Sequence, residues 1–341
     1  MQSAAEIKMW PVVRAVPNAR VFGAIVLLCV VASAAFASWL PLPVSIVTVF
    51  LFAGPHNWFE LRYFLMRLPV RFGRSRNFFL TAFVGLGLLT LSYVSLPLFY
   101  NAVLWSDEAW TTVLASWNSL FLFWLVLLIW LRGKQKPRAN WTWTIPVVLA
   151  LCSLNWLWPE LFSLAIVYVH PLVALWFLDR HLARTRPEWL RTYRRCLCVL
   201  PLVLMGMVWQ LSQTARLPDS NGLFWRITQH SGAEVLPQVS SHLLVSVHLF
   251  LEMLHYAVWI IALPLIGRWA SARVWEVKTV PIARHVRGFP RLVAGMLVLA
   301  LAAVVFLWLG FSIDYSTTRD IYFTIAIAHV LAEAPFLLRM I

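Results

Sequence analysis

Charge is scarce in this chain. Only 12% of its 341 residues are Asp, Glu, Lys or Arg, against 61% hydrophobic residues and a mean hydropathy of +0.76. That is too little charge to solvate the surface of a soluble domain of this length. Cysteine is also rare, with Cys29, Cys152, Cys196 and Cys198 inside or beside apolar runs and none in a paired C-x-x-C zinc pattern. They read as small buried hydrophobes. There is no low-complexity segment, no basic arm and no soluble domain between apolar runs, so the net charge of +14 does not point to nucleic acid. No cleavable signal peptide is evident: the first apolar run begins near residue 21, after Lys8, Arg14 and Arg20, and reads as a signal-anchor span.

What remains is a polytopic helical membrane protein, all-α, forming a single integral membrane domain over 1–341 with residues 1–20 as a cytoplasmic N-terminal segment. Ten spans are expected, at about 21–39, 43–66, 78–100, 111–131, 141–158, 160–178, 196–214, 241–266, 292–312 and 321–338. The fifth and sixth are split only by Pro159 and Glu160. Many of the 20 Trp sit at the ends of these runs, as interfacial anchors do. With the N-terminus inside, all of the 28 Lys and Arg except Arg216, Arg226 and Arg319 fall on the cytoplasmic side. Asp107, Glu108, Asp219, Glu234, Asp314 and Asp320 fall outside. This positive-inside bias predicts an N-in, C-in protein of a bacterial inner membrane. The longest loops, about 215–240 outside and 267–291 inside, have room for an interfacial helix or a lid.

Against this apolar background the ionisable residues inside spans stand out. His56 with Glu60, His248 with Glu252, and His329 with Glu333 are each four residues apart, and the middle pair continues to His255. Such spacing puts each set on one helix face. Intramembrane ionisable groups are expensive and face interior sites. Counted from the first charge at the cytoplasmic span end (Arg67, Asp179, Arg268 or Arg339), His56, His170, His255 and His329 fall within a slab of about 6 Å at a rise of ~1.5 Å per residue. They are the first-choice metal ligands. Glu252 is the first-choice carboxylate, as ligand or base, and Glu252-x-x-His255 has the i, i+3 form of di-iron bundles. Glu60, Glu333 and His248 follow, as ligands of a second ion or as orienters of the first set.

Each residue also has a plainer reading: an interhelical hydrogen bond, a cap beside Pro171 for His170, or a carboxylate paired with Arg62 or Arg339. His181, His230, His242 and His285 lie in loops or at span ends and read as solvated or interfacial. Asp179 and Arg180 read as the end of a span, and the basic run Arg67, Arg71, Arg74 and Arg76 as a topology signal that also attracts anionic lipid head groups.

Imidazole and carboxylate without thiolate favour iron, manganese or zinc. An aromatic and aliphatic pocket at membrane depth suits a lipid-soluble substrate. The leading expectation is a non-haem iron oxygenase, with one or two ions, acting on a lipid or isoprenoid, with an electron donor where the chemistry needs one. Haem-based electron transfer and an ion-coupled transporter using Glu60, Glu252 and Glu333 as a proton path are the rival classes. Pro55, Pro171, Pro264 and Pro335 would supply the helix breaks that a transporter uses, without visible repeats.

The segment Ala53-Gly54-Pro55-His56-Asn57-Trp58-Phe59-Glu60 resembles the Pro-His-Gly-x-x-Asp segment of the bacteriorhodopsin-related-protein family of membrane carotene dioxygenases. The resemblance implies a helical membrane protein whose intramembrane His bind iron for cleavage of β-carotene to retinal. It carries over to His56 and Glu60. Asn57 stands where the family has Gly, Glu60 where it has Asp, and this chain has more spans.

Overall fold

The computed structural model describes residues 18–103, 106–136, 140–219, 222–266, 277–285 and 288–340. Most of the expected N-terminal segment, with Lys8 and Arg14, lies outside the described residues, as does Arg268. Among the described residues there are helices and no strands. All ten apolar segments are helical. Among the described residues nine helical stretches are long and apolar enough to cross a membrane.

The first four long helices are α1 (Ala19–Trp39), α2 (Pro41–Arg67), α3 (Arg76–Val103) and α4 (Asp107–Gln135). Asn18 starts α1 by accepting from the Val21 amide at 2.9 Å, and Pro41 starts α2 where no amide donor is needed. The fifth segment is the short α5 (Thr144–Leu157), about 21 Å at ~1.5 Å per residue, less than a hydrocarbon core of about 30 Å. It runs back along α4. Trp141 lies against Gly133 before α5, and Asn155 near its end meets Asn118 of α4 at 2.8 Å.

Helix α6 (Pro159–Thr185) continues past Asp179 and Arg180, where the sequence reading ended the span. Asp179 is neutralised from outside its own helix: Arg194 donates to both carboxylate oxygens at 2.8 and 3.1 Å. That arginine belongs to α7 (Pro187–Leu197), which occupies what was read as a loop. α7 buries Trp189, Tyr193 and Cys196 and turns its arginines outward. Trp189 stacks on Phe22 of α1 with centroids 4.7 Å apart. α8 (Leu200–Leu211) follows after a break at Cys198 and Val199.

The outer loop contains the helix α9 (Gly222–His230). Gly232 just after it has φ +93, and a Cβ there would meet Leu164, so both backbone and space require glycine. α10 (Ser241–Tyr256) passes through a π-helical turn, Ala257–Ala262, into α11 (Leu263–Ile266). In the inner loop the described part holds only the four-residue α12 (Pro281–Arg284) and a 3-10 turn. α13 (Pro290–Ile313) and α14 (Tyr315–Met340) complete the chain.

α10 is the enclosed helix, with α1, α2, α6 and α8 packed around it. On the side of the basic helix ends an aromatic plug closes the interior. Phe64 stacks on Phe336 at 4.3 Å, and Trp259 packs against Tyr63 and Phe177 at 5.5 and 5.4 Å.

Candidate metal centre

Four helices supply the interior polar residues, and each is irregular where it does so. Pro55 precedes His56 in α2, Pro171 follows His170 in α6, and Pro335 lies two residues past Glu333 in α14. In α10 the π turn begins two residues after His255, with Pro264 beyond it. An interior proline removes one amide donor and leaves a carbonyl without its helical bond. Single π turns are frequent at functional sites. Pro55, Pro171 and Pro335 thus stand beside interior His or Glu.

The four imidazoles form a closed ring. His56 lies 5.3 Å from His255 and 5.3 Å from His329 between ring centroids. His170 lies 4.7 Å from His255 and 4.9 Å from His329. Ligand atoms of His56, Glu60, His255 and His329 all fall within 4.8 Å of one another. So do those of His170, His255 and Glu333. The two groups share His255.

Local bonds decide which atoms face inward. His56 Nδ1 is 3.0 Å from the Phe52 carbonyl, so it carries the proton and Nε2 keeps its lone pair. That Nε2 is buried without a protein partner. The Nε2 atoms of His170 and His329 are 3.0 Å apart. Two ligands at about 2.0–2.1 Å from one ion stand about 2.8–3.4 Å apart at right-angled to tetrahedral geometry. His170 Nδ1 is 3.1 Å from Glu333 Oε2, within ion-pair distance though off the line of a good hydrogen bond. A carboxylate behind an imidazole is a familiar support for a metal-bound histidine.

The unsatisfied atoms concentrate here. Both oxygens of Glu60, both ring nitrogens of His255, Nδ1 of His329 and Oε1 of Glu333 are buried without a hydrogen-bond partner. Buried polar atoms in proteins are nearly always paired, and orphans are a sign of an ion or water. His56, Glu60, His255 and Glu333 are each at most 2% exposed. The alternative pairing of Glu60 with Arg62 and of Glu333 with Arg339 does not form. Arg62 donates to Thr279 Oγ1 at 2.7 Å, and Arg339 to the Arg67 carbonyl at 2.8 Å.

Glu252 and His248 stand apart from both ligand groups. Glu252 Oε1 accepts from the Tyr256 hydroxyl at 2.7 Å. The His248 ring is 5.2 Å from His230 and 5.6 Å from Tyr168. Glu252, Tyr256, His248 and His230, with His56, His170, His255, His329 and Tyr322, line a polar cavity of about 130 Å³ on the side of α9. His230 is therefore an interior residue and not a solvated one. His181 is also buried, and His242 Nε2 is 2.9 Å from the Ser38 carbonyl. Tyr256 and Tyr322 line the site without being candidates in the sequence. Tyr256 had one signal, its position four residues after Glu252 on the same face.

A second, larger cleft of about 1080 Å³ lies between α2, α3, α13 and α14. Its walls are apolar, with Phe83, Leu86, Met296, Val304 and Ile325 among them. Asn57, Glu60, Tyr322 and His329 are the polar residues that connect it to the ring. Tyr322, Ala326 and His329 border both the cleft and the polar cavity. α13 approaches α2 closely enough that a Cβ on Gly54 would stand 3.0 Å from Val304 Cγ1.

No family model, curated protein or solved structure matches this chain.

Proposed function

We propose that this is a membrane metal-dependent oxygenase, with non-haem iron in the His/Glu ring and a lipid or isoprenoid substrate in the apolar cleft. The observation that carries the proposal is the coincidence of orphaned ligand atoms on His56, Glu60, His255 and His329 with an apolar cleft that reaches Glu60 and His329. The donor set of neutral imidazoles and carboxylates fits iron(II), manganese or zinc. Iron bound there supplies activation of dioxygen for transfer to carbon.

The protein's own residues prepare that chemistry. The Phe52 carbonyl holds the His56 proton on Nδ1 and turns Nε2 inward. Glu333 sits behind His170 in the same supporting role. Glu60 lines the cleft and also belongs to the ligand group, so its carboxylate can bind the ion or hold a proton beside the substrate. The aromatic plug of Phe64, Phe336 and Trp259 excludes water from the basic end. A long hydrocarbon would lie along α13 and reach the ring past Asn57 and Tyr322. The resemblance of residues 53–60 to the carotene dioxygenases makes isoprenoids with conjugated double bonds the first substrates to test. Insertion of both oxygen atoms across such a bond needs no outside electron donor, whereas a hydroxylation needs two electrons from a partner.

The small gap between His170 and His329 favours bare ions over haem, since a macrocycle needs clearance around its axial nitrogens. Elemental analysis with an optical spectrum on detergent-purified protein tests the proposal. Stoichiometric iron without a Soret band is expected. One ion per chain fits occupation of a single ligand group, and two ions fit occupation of both the His56, Glu60, His255 and His329 group and the His170, His255 and Glu333 group. A Soret band would replace this reading with electron transfer. Protein free of metal after expression in iron-replete cells would sink it and leave ion-coupled transport as the better account.

A further inference from the structure

At the opposite side of the aromatic plug, four helices end in arginine. Arg67 of α2, Arg132 of α4, Arg184 of α6 and Arg339 of α14 are tied into one group by contacts to neighbouring backbone. Arg132 donates from Nε to the Leu338 carbonyl at 3.1 Å and from Nη2 to the Arg339 carbonyl at 3.2 Å. Arg184 Nη2 donates to the Met340 carbonyl at 3.1 Å. Arg339 Nη1 donates to the Arg67 carbonyl at 2.8 Å.

The first three bonds cap the end of α14 and the fourth caps the end of α2, and guanidinium groups are favourable near helix C-termini. Capping does not use the group up, although Arg132 also donates from Nη1 to Gln135 Oε1 at 3.1 Å. A guanidinium has five N–H donors, and each carbonyl bond takes one. No carboxylate among the described residues lies within ion-pair distance of any of the four.

A fifth donor points to the same conclusion. His181 is 6% exposed, and its Nδ1 is 3.0 Å from Arg67 Nη2. Arginine can only donate, so His181 Nδ1 accepts and its proton is on Nε2. That Nε2 is buried without a partner. Five side chains from four helices thus present donors and positive charge, and among the described residues no acidic side chain receives them. A phosphoryl group supplies several anionic acceptor oxygens, and arginine matches it in paired geometry. Basic pockets between membrane helices at their charged ends bind lipid phosphates in this way.

We propose that the arginine-rich end of the bundle is a binding site for a phosphoryl group, with an anionic phospholipid head group as its ordinary source. The site is separate from the His/Glu ring, from which the aromatic plug divides it. The test uses the full chain in neutral detergent, with thermal unfolding followed during titration with phosphatidylglycerol, phosphatidylcholine or inorganic phosphate. Phosphatidylglycerol is expected to raise the unfolding temperature saturably, and phosphatidylcholine to do so much less. Arg184→Gln and Arg67→Gln should each weaken the phosphatidylglycerol effect about tenfold, measured against each variant's own unliganded unfolding temperature. Arg71→Gln, outside the cluster, should leave it unchanged. If inorganic phosphate reproduces the effect at comparable concentration, the site stands and its source is a soluble phosphate. Absence of any saturable effect, or an equal loss in Arg71→Gln, would overturn the proposal in favour of diffuse attraction to a basic face.

Discussion

The stretch Ser241–Ala262, α10 with its π turn, and helix α13 are both apolar and both of spanning length, yet they face opposite environments. In the most apolar stretch of each, 72% of the residues are buried in α10 and 17% in α13. α13 carries no ionisable residue after Arg291 and shows Leu299 and Phe306 outward, each 72% exposed. α10 carries His248, Glu252 and His255, all buried. In water the buried helix would be the more apolar of the two. In a bilayer the surroundings are themselves hydrocarbon, so side chains that need partners are turned inward. Hydropathy along this chain therefore marks lipid contact, and its local failures mark the interior.

The comparison is broken most severely at its polar end. His255→Ala on α10 should lose bound metal and activity by on the order of 100-fold or more, because His255 belongs to both ligand groups. Leu299→Ala on α13 should change neither and shift stability by no more than about 0.5 kcal/mol. Metal content and turnover of the two purified variants check this, and equal metal content would remove His255 from the centre.

Next in size is Glu333→Gln, which weakens the support behind His170 while keeping the shape. A loss of about 10- to 100-fold in metal affinity is expected by competition with a chelator. Ala300→Trp places bulk in the apolar cleft from α13. We expect about tenfold lower kcat/KM for a lipid substrate with metal content unchanged, separating the cleft from the ring.

Gly54→Leu tests the contact between α2 and α13. A Cβ at 3.0 Å from Val304 Cγ1 and 3.3 Å from its Cα forces the helices apart, with about 1–3 kcal/mol of destabilisation expected in thermal or denaturant unfolding. The smallest effect is at Asp314, in the short link between α13 and α14. Its Oδ1 accepts from the Thr317 amide at 3.1 Å, and its bonding to Thr317 lowers its pKa below the ordinary carboxylate value. A depressed folded pKa means stability that is present above the unfolded value and is lost as pH falls through the folded one. Asp314→Asn should remove that acidic-limb dependence and leave stability at neutral pH nearly unchanged.

Much of the bundle was legible because the bilayer requirement acts on short stretches of chain. Ten apolar runs became ten helical segments, and the spacing of His and Glu identified the faces that turn inward. Boundaries were read less well where a distant partner intervened. α6 runs on past Asp179 because Arg194, from the next helix, neutralises that carboxylate. α5 is shorter than a span because its start and its end are taken up by contacts with α4.

Within the site, matched depth picked out His56, His170, His255 and His329, which share a ring in the structure. Depth alone could not sort the carboxylates. Glu252 and Glu333 are both one turn or less from a site histidine in sequence, but only Glu333 reaches a ligand group, while Glu252 meets Tyr256. His230 and His181 looked like surface residues because each lies near a helix end. Whether a helix end is solvated depends on what packs over it, and Phe323 and Arg67 do so here.

The chain by itself determined that apolar helices would form and which faces would avoid lipid, since both follow from hydrogen bonding and solvation along a single helix. Only the tertiary structure decided that four of those faces meet, that Glu60 and His329 border an apolar cleft, and that four arginines gather with no acidic partner among the described residues. Those are relations between residues as many as 273 positions apart, as His56 and His329 are, and no local periodicity encodes how helices are arranged around one another.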